Sequence, residues 1–290
     1  MMKILVTGNG FIATSIIQRL ESEGHELLVY SRTMSERIHS EQVIGDIFNF
    51  EDFLKTLSWK PQIIIHTAWI TTPGIYRNDP SNHKYAQFTT DLAEYLTHAD
   101  VEHLIILGTC AEYGHQNGQS TAGVTKLSPS ILYAQQKVAA FNAAKEFLGG
   151  SKVRMTWARI FYPYGPNQDQ KRLIPHLIRS LKNGDPILLT DTSSIHDWIT
   201  TRDIASAISW VIENEVPMEV DVGTSFGFTN LELLATLAEL LQNTNHLDHR
   251  NSHSFGLNEV FIAGKDSPLF KSGWLPSDSL SAGLEWVLDS

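Results

Sequence analysis

Apolar residues along this chain fall into short runs, and longer stretches of helical periodicity lie between them. Met2-Lys3-Ile4-Leu5-Val6-Thr7 reads as a buried strand, and an amphipathic helix follows to about Glu21. Glu26 to Tyr30 is a second strand, and Val43-Ile44-Gly45-Asp46-Ile47 a third that ends at an acidic residue. Gln62 to His66 is a fourth strand with an unbroken apolar centre, Ile63-Ile64-Ile65, as expected of a parallel strand covered on both faces. A helix-compatible segment spans Asn82 to His98, and His103 to Gly108 is the fifth strand. A polar loop leads into a helix that carries Tyr133, and Val153 to Ile160 is the sixth strand. Strands alternating with helices of ordinary length predict an α/β fold with a Rossmann-type doubly wound parallel sheet.

Beyond Ile160 the elements shorten. Residues 161–167 read as loop, Leu173 to Leu181 as a helix and Ile187 to Leu189 as a short strand. Ile195 to Ile199 leads into a helix from Asp203 to Glu213, and Val220 to Gly223 is another strand. Thr229-Asn230-Leu231-Glu232 is a capping box that opens a helix to Leu241. Residues 243–254 are polar and read as exposed, and the tail from Ser272 to Val287 ends in a short amphipathic helix. The division expected is a dinucleotide-binding domain over residues 1–165, to which 190–225 partly return, and a smaller C-terminal substrate-binding lobe over 166–290.

Composition narrows the classes. The chain has 290 residues, 42% hydrophobic and 19% charged, which is ordinary for a soluble globular protein. Its net charge of -10 disfavours nucleic acid or an anionic membrane as a partner, so any phosphate must be held by a local device. No apolar run approaches a membrane span, and the chain enters a strand at once, so neither membrane insertion nor a signal peptide is expected. Cys110 is the only cysteine, which excludes an intrachain disulfide and fits the reducing cytoplasm. No metal site is expected. Of the 12 histidines, His246, His249 and His253 lie in the polar segment and read as solvated loop.

Candidate chemistry gathers at strand ends, where ligands bind in doubly wound sheets. Gly8-Asn9-Gly10-Phe11-Ile12-Ala13 joins the first strand to the first helix. Such a turn lets the backbone approach a pyrophosphate at a helix N-terminus. Ser31-Arg32 stands at the end of the second strand, where an acidic residue would bind the ribose of NAD. An arginine with a hydroxyl suits a 2′-phosphate instead, so NADP(H) is favoured, with NAD(H) the alternative. Thr67-Ala68 and Thr109 follow the fourth and fifth strands. Tyr133 and Lys137 share one helix face. A fixed ammonium would lower the tyrosine pKa and make a proton-transfer device; a half-buried ring beside a solvated lysine is the bland alternative.

These features, in this order, resemble the extended short-chain dehydrogenase/reductases in the NAD-dependent epimerase/dehydratase branch, over nearly the whole chain. The glycine turn resembles the family's, but is one residue shorter between its first two glycines. Asp46-Ile47 matches an acidic–apolar pair that contacts adenine, and His66-Thr67-Ala68 a segment that passes the ribose and phosphates. Thr109, Tyr133 and Lys137 match the catalytic Ser/Thr and Tyr-x-x-x-Lys. Arg159 through Pro166 resembles Arg-x-Phe-Asn-x-Tyr-Gly-Pro, which places Phe161 at the cofactor, and Gly273-Trp274 with Pro276 resembles a C-terminal Gly-Trp-x-Pro. Tyr162 replaces an asparagine that commonly touches the substrate diphosphate, and His196 replaces an arginine of Arg-Asp-Phe that often binds a nucleotide phosphate. Lys171, Arg172 and Arg202 are the cations that could compensate.

The resemblance implies that Tyr133 exchanges a proton with the substrate oxygen, Lys137 tunes the tyrosine and binds the nicotinamide ribose, and Thr109 holds the same oxygen. Substrate contacts are expected at Cys110, Glu112, Tyr162, Arg172 and His196. The substrate implied is a nucleotide-linked sugar. Three reactions are open. Family dehydratases place Asp-Glu after the catalytic Thr, and Cys110-Ala111 stands there instead. A 4-ketoreductase is favoured by Arg32, and a 4-epimerase with tightly held NAD is the runner-up. Cys110 as a proton-transferring group and a non-catalytic cofactor-binding regulator are lesser alternatives. A homodimer joined through the Tyr133 helix and the Asn82–His98 segment is also implied.

Overall fold

The computed structural model describes residues 1–243 and 258–290. The polar segment and its histidines 246, 249 and 253 lie outside the described residues, apart from Asn243 at its edge. The first half runs β1 (Lys3–Thr7), α1 (Phe11–Ser22), β2 (Glu26–Ser31), β3 (Glu41–Ile44), α2 (Phe50–Lys55), β4 (Ile63–His66), α3 (Asn82–Leu96), β5 (His103–Thr109), β6 (Gln119–Ser120) and α4 (Leu132–Leu148). The second runs β7 (Arg154–Ile160), β8 (Tyr162–Tyr164), α5 (Leu173–Asn183), β9 (Ile195–His196), β10 (Trp198–Thr200), α6 (Thr201–Glu213), β11 (Glu219–Val222), β12 (Phe228–Thr229), α7 (Asn230–Leu240), β13 (Val260–Ala263), α8 (Pro268–Lys271) and α9 (Leu280–Leu288).

Seven strands form one sheet in the order β11-β7-β5-β4-β1-β2-β3, and every neighbouring pair is parallel. Alternation along each strand sends side chains to two faces. Ile4 and Val6 of β1 join Ile16, Ile17 and Leu20 of α1 and Ile204 and Ile208 of α6 in one core. Leu5 joins Leu92 of α3 and Phe141 of α4 in a second core on the other face. The fold is therefore the Rossmann-like doubly wound sheet. Its strand order reverses between β1 and β4, which opens a crevice at their C-terminal ends.

A third core joins Leu177 and Leu181 of α5, Leu233 and Leu237 of α7, Leu284 of α9 and Trp198 of β10. Here the pattern is less regular. Residues 162–164, read as loop, form β8 and pair in parallel with β10. Ile187 to Leu189 is not a strand: Ile187 and Leu189 are buried and Leu188 is exposed, which imitates strand alternation. The third strand runs Glu41–Ile44 and stops before Gly45, where a side chain has no room: an added Cβ would lie 2.1 Å from the Tyr30 hydroxyl. The two-residue strands β6, β9 and β12 were not foreseen, since two residues carry no periodicity, and neither was the four-residue β13.

Candidate active site

One cleft of about 1140 Å³ runs along the C-terminal ends of β1, β2, β4 and β5 and under the second lobe. Its floor begins at Gly8. The backbone there has φ +92°, and a Cβ would sit 2.9 Å from Thr67 Oγ1 and 3.3 Å from the Ala68 backbone. Glycine is required by both conformation and close approach. Helix α1 then opens from an extended Gly10, with no side-chain cap and no acidic residue in its first turn. Nothing lies within 4 Å of a Cβ placed on Gly10. Open N–H groups beside free space fit a pyrophosphate. Asn9 braces the turn by donating from Nδ2 to the Thr33 carbonyl at 2.6 Å.

The rim carries Ser31, Arg32, Asp46 and Ile47. The Ser31 hydroxyl is buried and donates to the Thr33 carbonyl at 2.8 Å, while Arg32 is exposed. Asp46 Oδ1 accepts from the Phe48 N–H at 3.0 Å. Deeper, the Thr67 hydroxyl donates to the Thr7 carbonyl at 2.6 Å. His66 lies between Thr7 Oγ1, 2.7 Å from Nδ1, and Thr89 Oγ1, 3.0 Å from Nε2. Burial pushes this imidazole down to about 3, so it stays neutral and ties β1, β4 and α3 together.

Thr109, Tyr133 and Lys137 meet where β5 ends. Thr109 caps a 3-10 turn over Cys110–Tyr113, accepting from the Ala111 N–H at 3.3 Å. Tyr133 packs edge-on against Tyr76 and Trp69, with ring centroids 5.1 and 6.3 Å away. Lys137 is buried, donates from Nζ to the Leu107 carbonyl at 2.5 Å, and lies 3.9 Å above the Trp69 ring. The expected electrostatics are reversed here. Burial, with Tyr76 and Glu112 nearby, raises the Tyr133 pKa, and a hydrogen bond with Thr109 only partly opposes this. Burial also pushes Lys137 down to about 7 against the opposing pull of Glu112. The desolvation cost of two buried groups exceeds the lysine's effect on the tyrosine.

The remaining expectations divide. Cys110, Phe161, Tyr162, Arg172 and His196 line the cleft. Cys110 is a neutral thiol, its pKa pushed up by burial and by Asp197, Glu112 and Asp221. Tyr162 packs at a tilt against His196, ring centroids 4.0 Å apart, and edge-on against Trp198 at 5.3 Å. Burial lowers His196 to about 4, so no cation stands where the family has its arginine. Arg172 donates to the Thr71 carbonyl at 2.5 Å and lies 5.2 Å from the Tyr76 ring centroid. Lys171 and Arg202 do not line the cleft, and Arg202 is paired with Asp278. Glu112, expected at the substrate, is a correction: it is fully buried and does not line the cleft, its carboxylate being taken up by the Thr109 N–H, Trp157 and Arg159. Trp69, Tyr76, Trp198 and Asn230 also line the cleft and were not foreseen as site residues. Trp69 directly follows Thr67-Ala68, and that position alone is a signal that could have found it.

The NAD dependent epimerase/dehydratase family model matches residues 4–223. The chain belongs to that family. Among curated relatives, dTDP-D-glucose 4,6-dehydratase of Bos taurus is 23% identical over 322 residues, covering 99% of this chain and 89% of the relative. CDP-abequose synthase of Salmonella typhimurium is 30% identical over 141 residues, covering 45% of this chain and 46% of the relative. The crystal structure of UDP-glucose 4-epimerase of Thermus thermophilus, a complex with NAD, superposes with a TM-score of 0.84 at 21% identity over 99% of this chain and 98% of that one. The chain is thus an extended short-chain dehydrogenase/reductase, an NAD(P)-dependent enzyme of the epimerase/dehydratase type. Among the described residues no group of three or more His, Cys, Asp or Glu is arranged to hold a metal, and no helix is long and apolar enough to cross a membrane.

Proposed function

We propose that this enzyme reduces a keto group, most simply C4, on a nucleotide-linked sugar. The reading rests on the place in the cleft, at the end of β5, where Thr109 and Lys137 meet Tyr133. Burial keeps its phenol protonated, so it is poised to give a proton to a carbonyl oxygen that is gaining charge. Thr109 holds that oxygen from the strand end, and Lys137 binds the nicotinamide ribose from the cleft floor. The nicotinamide dinucleotide supplies the hydride when bound. Gly8, Asn9, Gly10, Phe11 and Ile12 would hold its pyrophosphate, Asp46 and Ile47 its adenine, and Thr67, Ala68 and Phe161 its middle. Exposed Arg32 inclines the site to NADP(H), although solved neighbours are complexes with NAD.

Dehydration is the weaker reading, because removal of water needs a second acid–base pair. Cys110 is held as a neutral thiol and Glu112 is out of reach. A 4-epimerase remains the second reading, favoured by the epimerases among the structural neighbours. It would begin by taking a proton, which asks Tyr133 to be a phenolate. We further propose that the substrate sits under the 166–290 lobe, against Tyr162, Arg172 and His196. The chain is read as a cytoplasmic homodimer joined through α3 and α4, which size-exclusion chromatography with light scattering would check.

The test is to add NADPH or NADH to the purified protein with a panel of nucleotide 4-keto sugars. One of them should consume reduced cofactor, and Tyr133→Phe should slow this by about 10²–10⁴-fold with cofactor affinity retained. Interconversion of a finished nucleotide sugar without net oxidation would assign the epimerase instead. Failure to bind either cofactor would sink both.

A further inference from the structure

Beneath the catalytic set lies a charged cluster that the mechanism does not use. Glu112 and Arg159 are both fully buried. Arg159 Nε donates to Glu112 Oε2 at 2.7 Å, and Nη1 to Glu219 Oε2 at 2.9 Å. Trp157 Nε1 donates to both Glu112 oxygens at 3.1 Å. The carboxylate then turns back to the active site, where Oε1 accepts from the Thr109 N–H at 2.8 Å. Gly108 makes room for it: a Cβ there would lie 2.2 Å from Trp157 Nε1 and 2.7 Å from Glu112 Oε1. Two buried charges are costly, and an apolar pair of similar size often serves stability as well. The Glu112 carboxylate meets β5 at Gly108 and Thr109, next along the strand from the Leu107 carbonyl that holds Lys137 Nζ, and that placement calls for another account.

We propose that Glu112 is a positioning residue for the reaction: its carboxylate fixes Thr109 from below and sustains the positive charge on Lys137, while Arg159 holds that carboxylate in place.

Every group facing Lys137 bears on this. Tyr133 on its own helix and Cys110 on the 3-10 turn are neutral by burial. His66 on β4 is neutral too. Arg159 on β7 is a cation of the same sign, and it is taken up by Glu112 and by Glu219, which also meets the exposed Lys145 at 3.5 Å. Glu112 is the one group that opposes the desolvation of Lys137. The capping box adds the geometric half, since the same carboxylate that serves Lys137 also sets the backbone of Thr109.

The inference rests on the reading of Tyr133 and Lys137 as the proton-transfer pair, but its test needs neither substrate nor turnover. Carbon NMR of labelled lysine, with Lys137→Met for assignment, follows the Lys137 titration in the whole protein. The midpoint should lie near 7 in the parent chain. It should fall by about one pH unit or more in Glu112→Gln and return toward the parent value in Glu112→Asp. An unchanged midpoint in folded Glu112→Gln overturns the proposal. If Glu112→Gln does not fold, labelled glutamate in the parent chain decides. The Glu112 carboxylate signal should then carry an inflection at the Lys137 midpoint that Lys137→Met removes, and its absence overturns the proposal. Once a substrate is found, the fall of reductive turnover at rising pH should begin earlier in Glu112→Gln. Equal loss at every pH would mark a purely structural residue and overturn it as well.

Discussion

The two walls of the cleft are built on different principles. The wall at β1, β2 and β4 is backbone: a left-handed glycine, an uncapped helix start, and the Thr7–His66–Thr89 hydrogen bonds that tie β1 and β4 to α3. The facing wall is side chain. Tyr162, His196 and Trp198 pack ring against ring, tilted or edge-on, from β8, β9 and β10, each only two or three residues long, and Arg172 leans on Tyr76. A backbone wall suits a ligand that never changes, because little can be substituted without breaking the turn. A side-chain wall can be rebuilt residue by residue, so that is where a change of substrate is cheapest to make.

The contrast is open to attack first at the glycine turn. Gly8→Val would put a branched side chain at φ +92° and against Thr67 Oγ1 and the Ala68 backbone. Strain of this kind costs about 1–3 kcal/mol, and the turn can relieve it only by leaving the shape that faces the pyrophosphate. Calorimetric titration should show NAD(P)H binding lost or weakened by at least about 100-fold, whatever the substrate. Full affinity in a folded Gly8→Val would show that the backbone wall is not the dinucleotide site.

On the opposite wall the effect should be smaller and should fall on the substrate alone. Arg32, Lys137 and Arg172 are the cationic residues lining the cleft, and Arg172 is the one at the substrate end. A charge-assisted hydrogen bond to a diphosphate is worth about 1.5–3 kcal/mol. Arg172→Ala should therefore raise KM for the nucleotide sugar by about 10–100-fold and leave the NAD(P)H Kd unchanged. A shift in both constants would mean that the two walls are not independent.

The same contrast explains what is legible in the sequence. Gly8 to Ala13, Thr67, Thr109, Tyr133 and Lys137 each follow a strand or sit on a long helix, so local periodicity is enough to place them in the fold. Residues 162–164 and 195–196 could not be placed that way, because their pairing partners are distant in the chain and the strands are too short to show alternation. Glu112 was misread for a different reason. A carboxylate three residues after a threonine at a strand end is compatible with pointing up at a ligand or down into the core. Only the buried Arg159, 47 residues later in the chain, decides between them. The tyrosine–lysine electrostatics failed on burial, since spacing on a helix says that two groups are near but not how dry they are.

The smallest effect expected is at the rim of the backbone wall, and it separates the two cofactors. Arg32 is exposed at the end of β2, where no carboxylate stands to meet a free 2′-hydroxyl. Its reach to a 2′-phosphate would cross water, so its contribution is that of a surface ion pair, about 1 kcal/mol or less. Arg32→Ala should accordingly raise the Kd for NADPH by about fivefold or less and leave that for NADH where it was. The effect should shrink at high ionic strength, because an exposed charge at the rim is screened while the buried Lys137 is not. Equal weakening of both cofactors would remove the basis for an NADP(H) preference and leave NAD(H) as the cofactor that the backbone wall serves.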